Sequence, residues 1–344
     1  MIKIDDHAAN LDTLANAHYE TVNPRNQPRR GQALGDYNHW SLVRRIERAR
    51  AASVGQNEVN FWNYLLDNHE ANLKLLISGR PKVLKAQIDA IEQQFTRALF
   101  CNDISYTQAE LTAFGLQVQE AFAYEALYRS KNICVTNFRS FNLKHCPYCN
   151  VFPVQVVSFQ NLQGVTRHQA LHQLDHFYPQ SRHPYLGLSF FNMVPACWAC
   201  NAVFKLQKRF AVDTHFNPFD HRLDEEFEFR LNTLVPQSEA ELIFRREWRD
   251  GRAYSEQALV DFQIMTRYNE SGKSNIFDMI QYLRNYGPDV SLSQMQQVPG
   301  LYANKLAQHD SLLKAMGIPA QTNTINDYHL GKLKRDICLR MEMA

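Results

Sequence analysis

Residues 172–201 read HQLDHFYPQSRHPYLGLSFFNMVPACWACN, and these thirty positions gather groups able to move protons or bind metals. Asp175 and His176 are adjacent, Asn192 comes sixteen residues after His176, and Asn201 nine residues after that. Cys197 and Cys200 form a Cys-x-x-Cys pair, matched upstream by Cys146 and Cys149 in CPYC. Tetrahedral zinc takes four thiolates, and a two-residue gap lets both sulfurs of a pair reach one ion. Pro147 favours the tight turn that such a knuckle needs. A zinc held by four sulfurs has no open coordination position, so it reads as structural. It would clamp the start of the intervening 47-residue segment to its end. Cys101, Cys134 and Cys338 stand alone and read as packing residues.

The order Asp175-His176, Asn192 and Asn201, with NMVPACWACN carrying the last two, resembles the HNH nuclease family and its strand–strand–helix (ββα-metal) core. The resemblance covers roughly residues 141–205, and many members carry the same two cysteine pairs around that core. It implies that His176 is the general base that activates water, a task suited to imidazole with its near-neutral pKa. It implies that Asp175 and Asn201 hold one Mg²⁺ or Mn²⁺ through oxygen, with water completing the shell. Asn192 would tie down the loop and so orient the base. Several members have a histidine one helical turn after the second metal ligand, where this chain has Lys205. An ammonium does not ligate Mg²⁺ but can contact a phosphate. Lys205, Lys208 and Arg209 are therefore expected on one helix as substrate contacts, with a solvated helix face as the alternative for the last two.

These residues need elements to hold them. VFPVQVVSF alternates and is rich in Val and Phe, which predicts a first strand; NLQG is a turn signal, and ALHQLDHF predicts the second strand. Pro195 then precedes an expected helix from about Cys197 to Phe210. On this reading His172 is a strand residue, His168 a loop residue and His183 an exposed loop residue. Upstream, helical spacing occupies YNHWSLVRRIERARAA, NEVNFWNYLLDNHEANLKLLISG and QAELTAFGLQVQEAFAYEALYRS, and Ile88, Ile91, Phe95 and Leu99 share a helix face. Downstream, SEQALVDFQIMTRYN and SNIFDMIQYLRNYG are helical. The expected fold is α+β: a helical region at 1–140, a zinc-bridged nuclease core at 141–215, and a mainly helical region at 216–344.

Composition bounds the rest. The 344 residues carry a net charge of +2 and 45% apolar residues, so any anion site must be a local cluster in an ordinary globular chain. No sustained apolar run marks a signal peptide or a membrane span, and seven cysteines, an odd number, argue against a disulfide framework. A cytoplasmic location is the expectation. His168, His172 and His176 would share a face only on a helix, which the β-forming sequence disfavours. SGKS (271–274) has Arg267 where a phosphate-binding loop needs Gly, which excludes an NTPase. Arg25, Arg29, Arg30, Arg44, Arg45, Arg48 and Arg50 form a basic group that is either a nucleic-acid contact or a solvated helix face.

The expected activity is hydrolysis of phosphodiester bonds, with DNA ahead of RNA as substrate, leaving a 5′-phosphate and a 3′-hydroxyl. The helical flanks resemble, in organisation, those of HNH effectors of anti-phage defence systems, in which a companion ATPase or sensor protein holds the nuclease. The competing class is a non-catalytic, zinc-stabilised module that binds nucleic acid or protein.

Overall fold

A computed structural model describes residues 2–8, 10–28, 34–125, 135, 138–222, 227–231, 242–246, 257–286, 313–314 and 316–340. Cys134, Arg29 and Arg30 lie outside the described residues. The fold is α+β: helices carry most of the described chain, and four two-stranded antiparallel sheets are set among them.

Among the described residues, five α-helices precede the cysteine pairs: α1 (Leu11–Val22), α2 (Leu42–Ala52), α3 (Gln56–Ser78), α4 (Pro81–Phe95) and α5 (Ala113–Phe122). Local chemistry sets their starts. The Ser41 hydroxyl accepts from the Arg44 amide at α2, and Thr112 accepts from the Gly115 amide at α5, each satisfying a first-turn N–H. Pro81 opens α4, where a missing N–H costs nothing. Helix α3 is broken at Asp67–Glu70, where Asn68, His69 and Glu70 adopt positive φ. Helix α4 ends at Thr96, also at positive φ, so Leu99 falls outside the expected helix in a short 3₁₀ turn. A hairpin follows, β1 (Cys101–Asp103) with β2 (Ala109–Leu111), inside a stretch whose spacing had suggested only helix.

The middle of the chain differs from the expected register. Strands β3 (Val156–Gln160) and β4 (Thr166–Ala170) form a hairpin whose residues are mostly exposed. The strand carrying Asp175 and His176 is β5 (Gln173–His176), and it pairs with β6 (Met193–Ala196), not with the upstream hairpin. The strand–strand–helix unit is thus β5, β6 and a short π-helix at Ala199–Lys205. His168 lies in β4, and His172 lies in the bend between β4 and β5, the reverse of their expected places. Pro195 sits inside β6 opposite Leu174. A two-stranded sheet leaves one edge of each strand unpaired, so a proline without an N–H is tolerated there.

Beyond the core, β7 (Phe227–Leu231) and β8 (Leu242–Arg246) form a hairpin that the helical patterning of this region did not suggest. Helices α6 (Gln257–Asp261), α7 (Ile264–Tyr286) and α8 (Gly331–Arg340) follow. SGKS lies within α7, which is incompatible with a phosphate-binding loop. One hydrophobic cluster includes Ile4 of the N-terminal segment, Phe61 and Trp62 of α3, all four paired cysteines, Tyr268 of α7 and Cys338 of α8. The described parts of 1–140, 141–215 and 216–344 therefore all contribute to this cluster. No helix among the described residues is long and apolar enough to cross a membrane.

Candidate active site and cysteine cluster

The two Cys-x-x-Cys pairs converge. The four sulfurs of Cys146, Cys149, Cys197 and Cys200 lie within 4.8 Å of one another, and all four residues are buried. Cys149 and Cys197 sulfurs are 3.8 Å apart. Zinc–sulfur bonds of about 2.3 Å in a tetrahedron place sulfurs about 3.8 Å apart, so the spacing suits such an ion. Backbone N–H groups support the sulfurs: Cys197 donates to Cys146 at 3.4 Å, Cys200 to Cys197 at 3.4 Å and Val151 to Cys149 at 3.5 Å. The Arg267 guanidinium donates to the Cys200 sulfur at 3.4 Å and supplies positive charge beside the cluster. Burial pushes the Cys146 and Cys200 thiols well up, whereas Cys197, through its contact with Cys146, and Cys149, against its own burial through its contacts with the other three sulfurs, are pushed down. The donor set therefore fits a structural metal such as zinc.

Strands β5 and β6 carry the other candidate groups. Phe177 to Asn192 joins them through a loop that is tied down at several points. Asn192 is fully buried; its Oδ1 accepts from the Tyr178 amide at 2.7 Å, and its Nδ2 donates to the carbonyls of Tyr178 and Leu186 at 3.2 and 3.3 Å. Arg182, also fully buried, donates to Asp103 Oδ1 at 3.0 Å and to the carbonyls of Ser105, Tyr106, Gln108 and Gln207. The loop is thereby locked to the β1–β2 hairpin.

His176 ends β5. Its Nε2 lies 3.0 Å from the Gly187 carbonyl oxygen and 2.9 Å from the side-chain amide of Gln180, and its ring stands edge-on to Tyr124. The Gly187 carbonyl only accepts, which calls for a proton on Nε2, whereas the Gln180 amide nitrogen only donates, which calls for the Nε2 lone pair; the Gly187 contact is met by the tautomer that keeps its lone pair on Nδ1. Burial, opposed by the Gly187 bond, pushes His176 down to about 4. The imidazole is therefore neutral, in its base form, at physiological pH.

Asp175 points the other way across β5 and is buried, with 1% of its surface exposed. Oδ1 accepts from the Lys205 ammonium at 2.7 Å, and Oδ2 accepts from the Tyr148 hydroxyl at 2.6 Å. Lys205 also donates to the His176 carbonyl at 2.6 Å and is itself 1% exposed. Burial lowers the Lys205 pKa, and Asp175 opposes that shift. Lys205 is thus an internal partner of Asp175 rather than the surface phosphate contact expected from its place in the sequence. The expected Mg²⁺ or Mn²⁺ does not fit here. Such an ion keeps several waters around it, whereas the Asp175 carboxylate is buried and each of its oxygens already accepts a hydrogen bond. Asn201, the other expected ligand, donates from Nδ2 to Gln173 Oε1 at 2.8 Å.

The π-helix ends at Lys205, since Leu206 has positive φ, so Lys208 and Arg209 do not continue it. Lys208 pairs with Asp261 at 3.1 Å, and Arg209 pairs with Asp103 at 2.9 Å. Both cations hold neighbouring segments together, unlike a freely solvated face. His183 is buried between Tyr178 and Tyr185, contrary to its expected exposure. The arginine group is likewise used within the chain: Arg45 donates to the Ala121 and Glu120 carbonyls, Arg48 to the His39 carbonyl, and Arg44 pairs with Glu47.

Asp175, His176, Asn201 and Lys205 line one cleft of 540 Å³, with Gln180 and Gln119 on its wall. Sequence reasoning missed Tyr148, although its place between two paired cysteines marked it as fixed in space. It also missed Arg182, Gln180 and Gly187, for which the sequence offers no signal. Comparison with known proteins adds no relative: no family model, no curated protein and no solved structure matches the chain.

Proposed function

We propose that this chain is an HNH-type endonuclease that hydrolyses phosphodiester bonds of nucleic acid, DNA ahead of RNA, with His176 as general base. The observation that carries this reading is the placement of His176: the Gly187 carbonyl holds its ring at Nε2, and the residue lines one cleft together with Asp175, Asn201 and Lys205. Water attacks phosphorus and gives its proton to Nδ1. The bond from phosphorus to the 3′-oxygen breaks, the 3′-oxygen takes a proton from solvent, and a 5′-phosphate remains. Zinc on the four cysteines holds the knuckle that carries Tyr148 and, through it, Asp175. No step is assigned to Mg²⁺ or Mn²⁺ at Asp175.

The test is cleavage of plasmid, single-stranded DNA and RNA, with and without divalent ions and the proteins encoded beside this chain. Wild type is expected to cut and His176→Ala to lose about 10²-fold or more while still melting as a folded protein. Absence of cutting under every condition overturns the enzyme. The neutralised Asp175 favours a second reading, a non-catalytic module that binds nucleic acid or protein. On that reading, His176→Ala leaves binding intact and neither protein cuts.

A further inference from the structure

We propose that the Lys205 ammonium occupies the place at Asp175 that a catalytic divalent cation would need, so that this site excludes Mg²⁺ and Mn²⁺ and works with a lysine instead. Three observations converge. The ammonium is 2.7 Å from Asp175 Oδ1 and 2.6 Å from the His176 carbonyl, so it bridges the two residues of the Asp-His pair. The hydroxyl of Tyr148 donates to the other carboxylate oxygen, so each oxygen already has a hydrogen-bond donor within a buried site. The lysine is held from behind as well, 5.1 Å above the Phe210 ring.

The backbone delivers Lys205 to this position deliberately. The Leu206 amide donates to the Asn201 carbonyl, five residues back, which widens the last turn into a π-helix. The widened turn sets Lys205, four residues after Asn201, beside that residue on the wall of the cleft, and the positive φ of Leu206 then turns the chain away. Single π-turns of this kind occur mostly where a side chain must be aimed. For a divalent ion to enter, the ammonium would have to leave its 2.7 Å contact with Asp175 within a site that is 1% exposed. A buried cation without its partner is strongly unfavourable. The bridging ammonium neutralises Asp175 and holds the His176 carbonyl, so it fixes the end of β5 that carries the proposed base without itself meeting a phosphate.

Metal exclusion at Asp175 stands whether or not the chain cuts nucleic acid; catalysis without a divalent ion rests on the proposed nuclease activity. Zinc-loaded protein is titrated with Mn²⁺, and bound ions are counted by electron paramagnetic resonance. Mn²⁺ does not compete for four thiolates, which select softer ions. Wild type and Asp175→Asn are expected to bind equal amounts of Mn²⁺. Lys205→Ala is expected to gain an ion that Lys205→Ala/Asp175→Asn loses. An ion bound by wild type and lost in Asp175→Asn overturns the proposal, and that comparison decides even if the Lys205 variants fail to fold. In the second arm, zinc-loaded wild type in buffer stripped of Mg²⁺ and Mn²⁺ is expected to cut undiminished. Lys205→Met, which keeps the stem, is expected to fall about 10²-fold. Cutting by wild type only after Mg²⁺ is added overturns the lysine and leaves the nuclease. No cutting at all overturns the nuclease, and the Mn²⁺ counts still judge the site.

Discussion

Asp175 has two oxygens, one facing a lysine and the other a tyrosine, and is buried. Asp175→Ala therefore does more than delete a carboxylate. It leaves the Lys205 ammonium buried without a counter-charge and orphans the Tyr148 hydroxyl. Breaking such a pair by removing one partner costs about 3–5 kcal/mol. The expected outcome in urea titration is a large loss for Asp175→Ala and for Lys205→Ala, with the double variant losing less than the sum of the two. Additive losses would show that the pair does not couple. The same residue shows where sequence reading stops. Asp175 and His176 were recognisable from order and spacing, but Lys205 lies thirty positions away from Asp175, and nothing in the one-dimensional pattern says that the two share an interior. His183 was misread for a related reason: a histidine before a proline resembles an exposed loop residue, whereas here the loop folds inward between two tyrosines.

At the scale of elements, the knuckle CPYC and the strand β5 act as one unit, because Tyr148 sits between two zinc-type cysteines and reaches Asp175. Two substitutions should separate these roles. Cys197→Ser removes one of four sulfurs and is expected to lose bound zinc and lower the melting temperature. Tyr148→Phe is expected to retain zinc and to cost about 1–3 kcal/mol, because Asp175 Oδ2 is left buried and unpaired. Zinc content by atomic absorption, read beside thermal melts, checks both; equal zinc in the two variants would contradict the cluster. The cysteine pairs were legible because metal chemistry fixes their spacing. The pairing of β5 with β6 was not. Met193–Ala196 is short, contains a proline and precedes a helix, so it reads as a helix approach, while the alternating VFPVQVVSF offers a more obvious strand partner. The deciding factor is the loop from Phe177 to Asn192, whose Asn192 clasp and Arg182 anchor return the chain to β5.

The whole molecule has one core into which several histidines are folded uncharged. His18 of α1 donates through Nε2 to the Leu188 carbonyl, which fastens the N-terminal helices to the loop after β5. Burial pushes His18 down to about 4 and, with the nearby cations Arg97 and Arg182, pushes His183 down to about 3. In the unfolded chain both return to about 6.5. The unfolded state thus binds more protons than the folded state below about pH 6.5, so stability is complete above that pH and falls as the pH drops toward 4 and then 3. Asp261 contributes in a different window. Its carboxyl is held down at about 2, against the opposing effect of burial, by His215, Tyr106 and Lys208, so its share is lost only in stronger acid. Between pH 6.5 and 4 the histidines therefore set the slope, and protonation costs about 3 kcal/mol in all at His18 and about 5 kcal/mol at His183 once the pH is below each folded value. Acid also weakens zinc binding, because thiolates take up protons. A comparison of wild type with His18→Gln cancels that shared effect. The glutamine amide can still donate to Leu188 but does not titrate. Urea midpoints at pH 7.5 and pH 5 are expected to fall further apart for wild type than for His18→Gln, and identical slopes would show that the buried imidazole does not set the acid response.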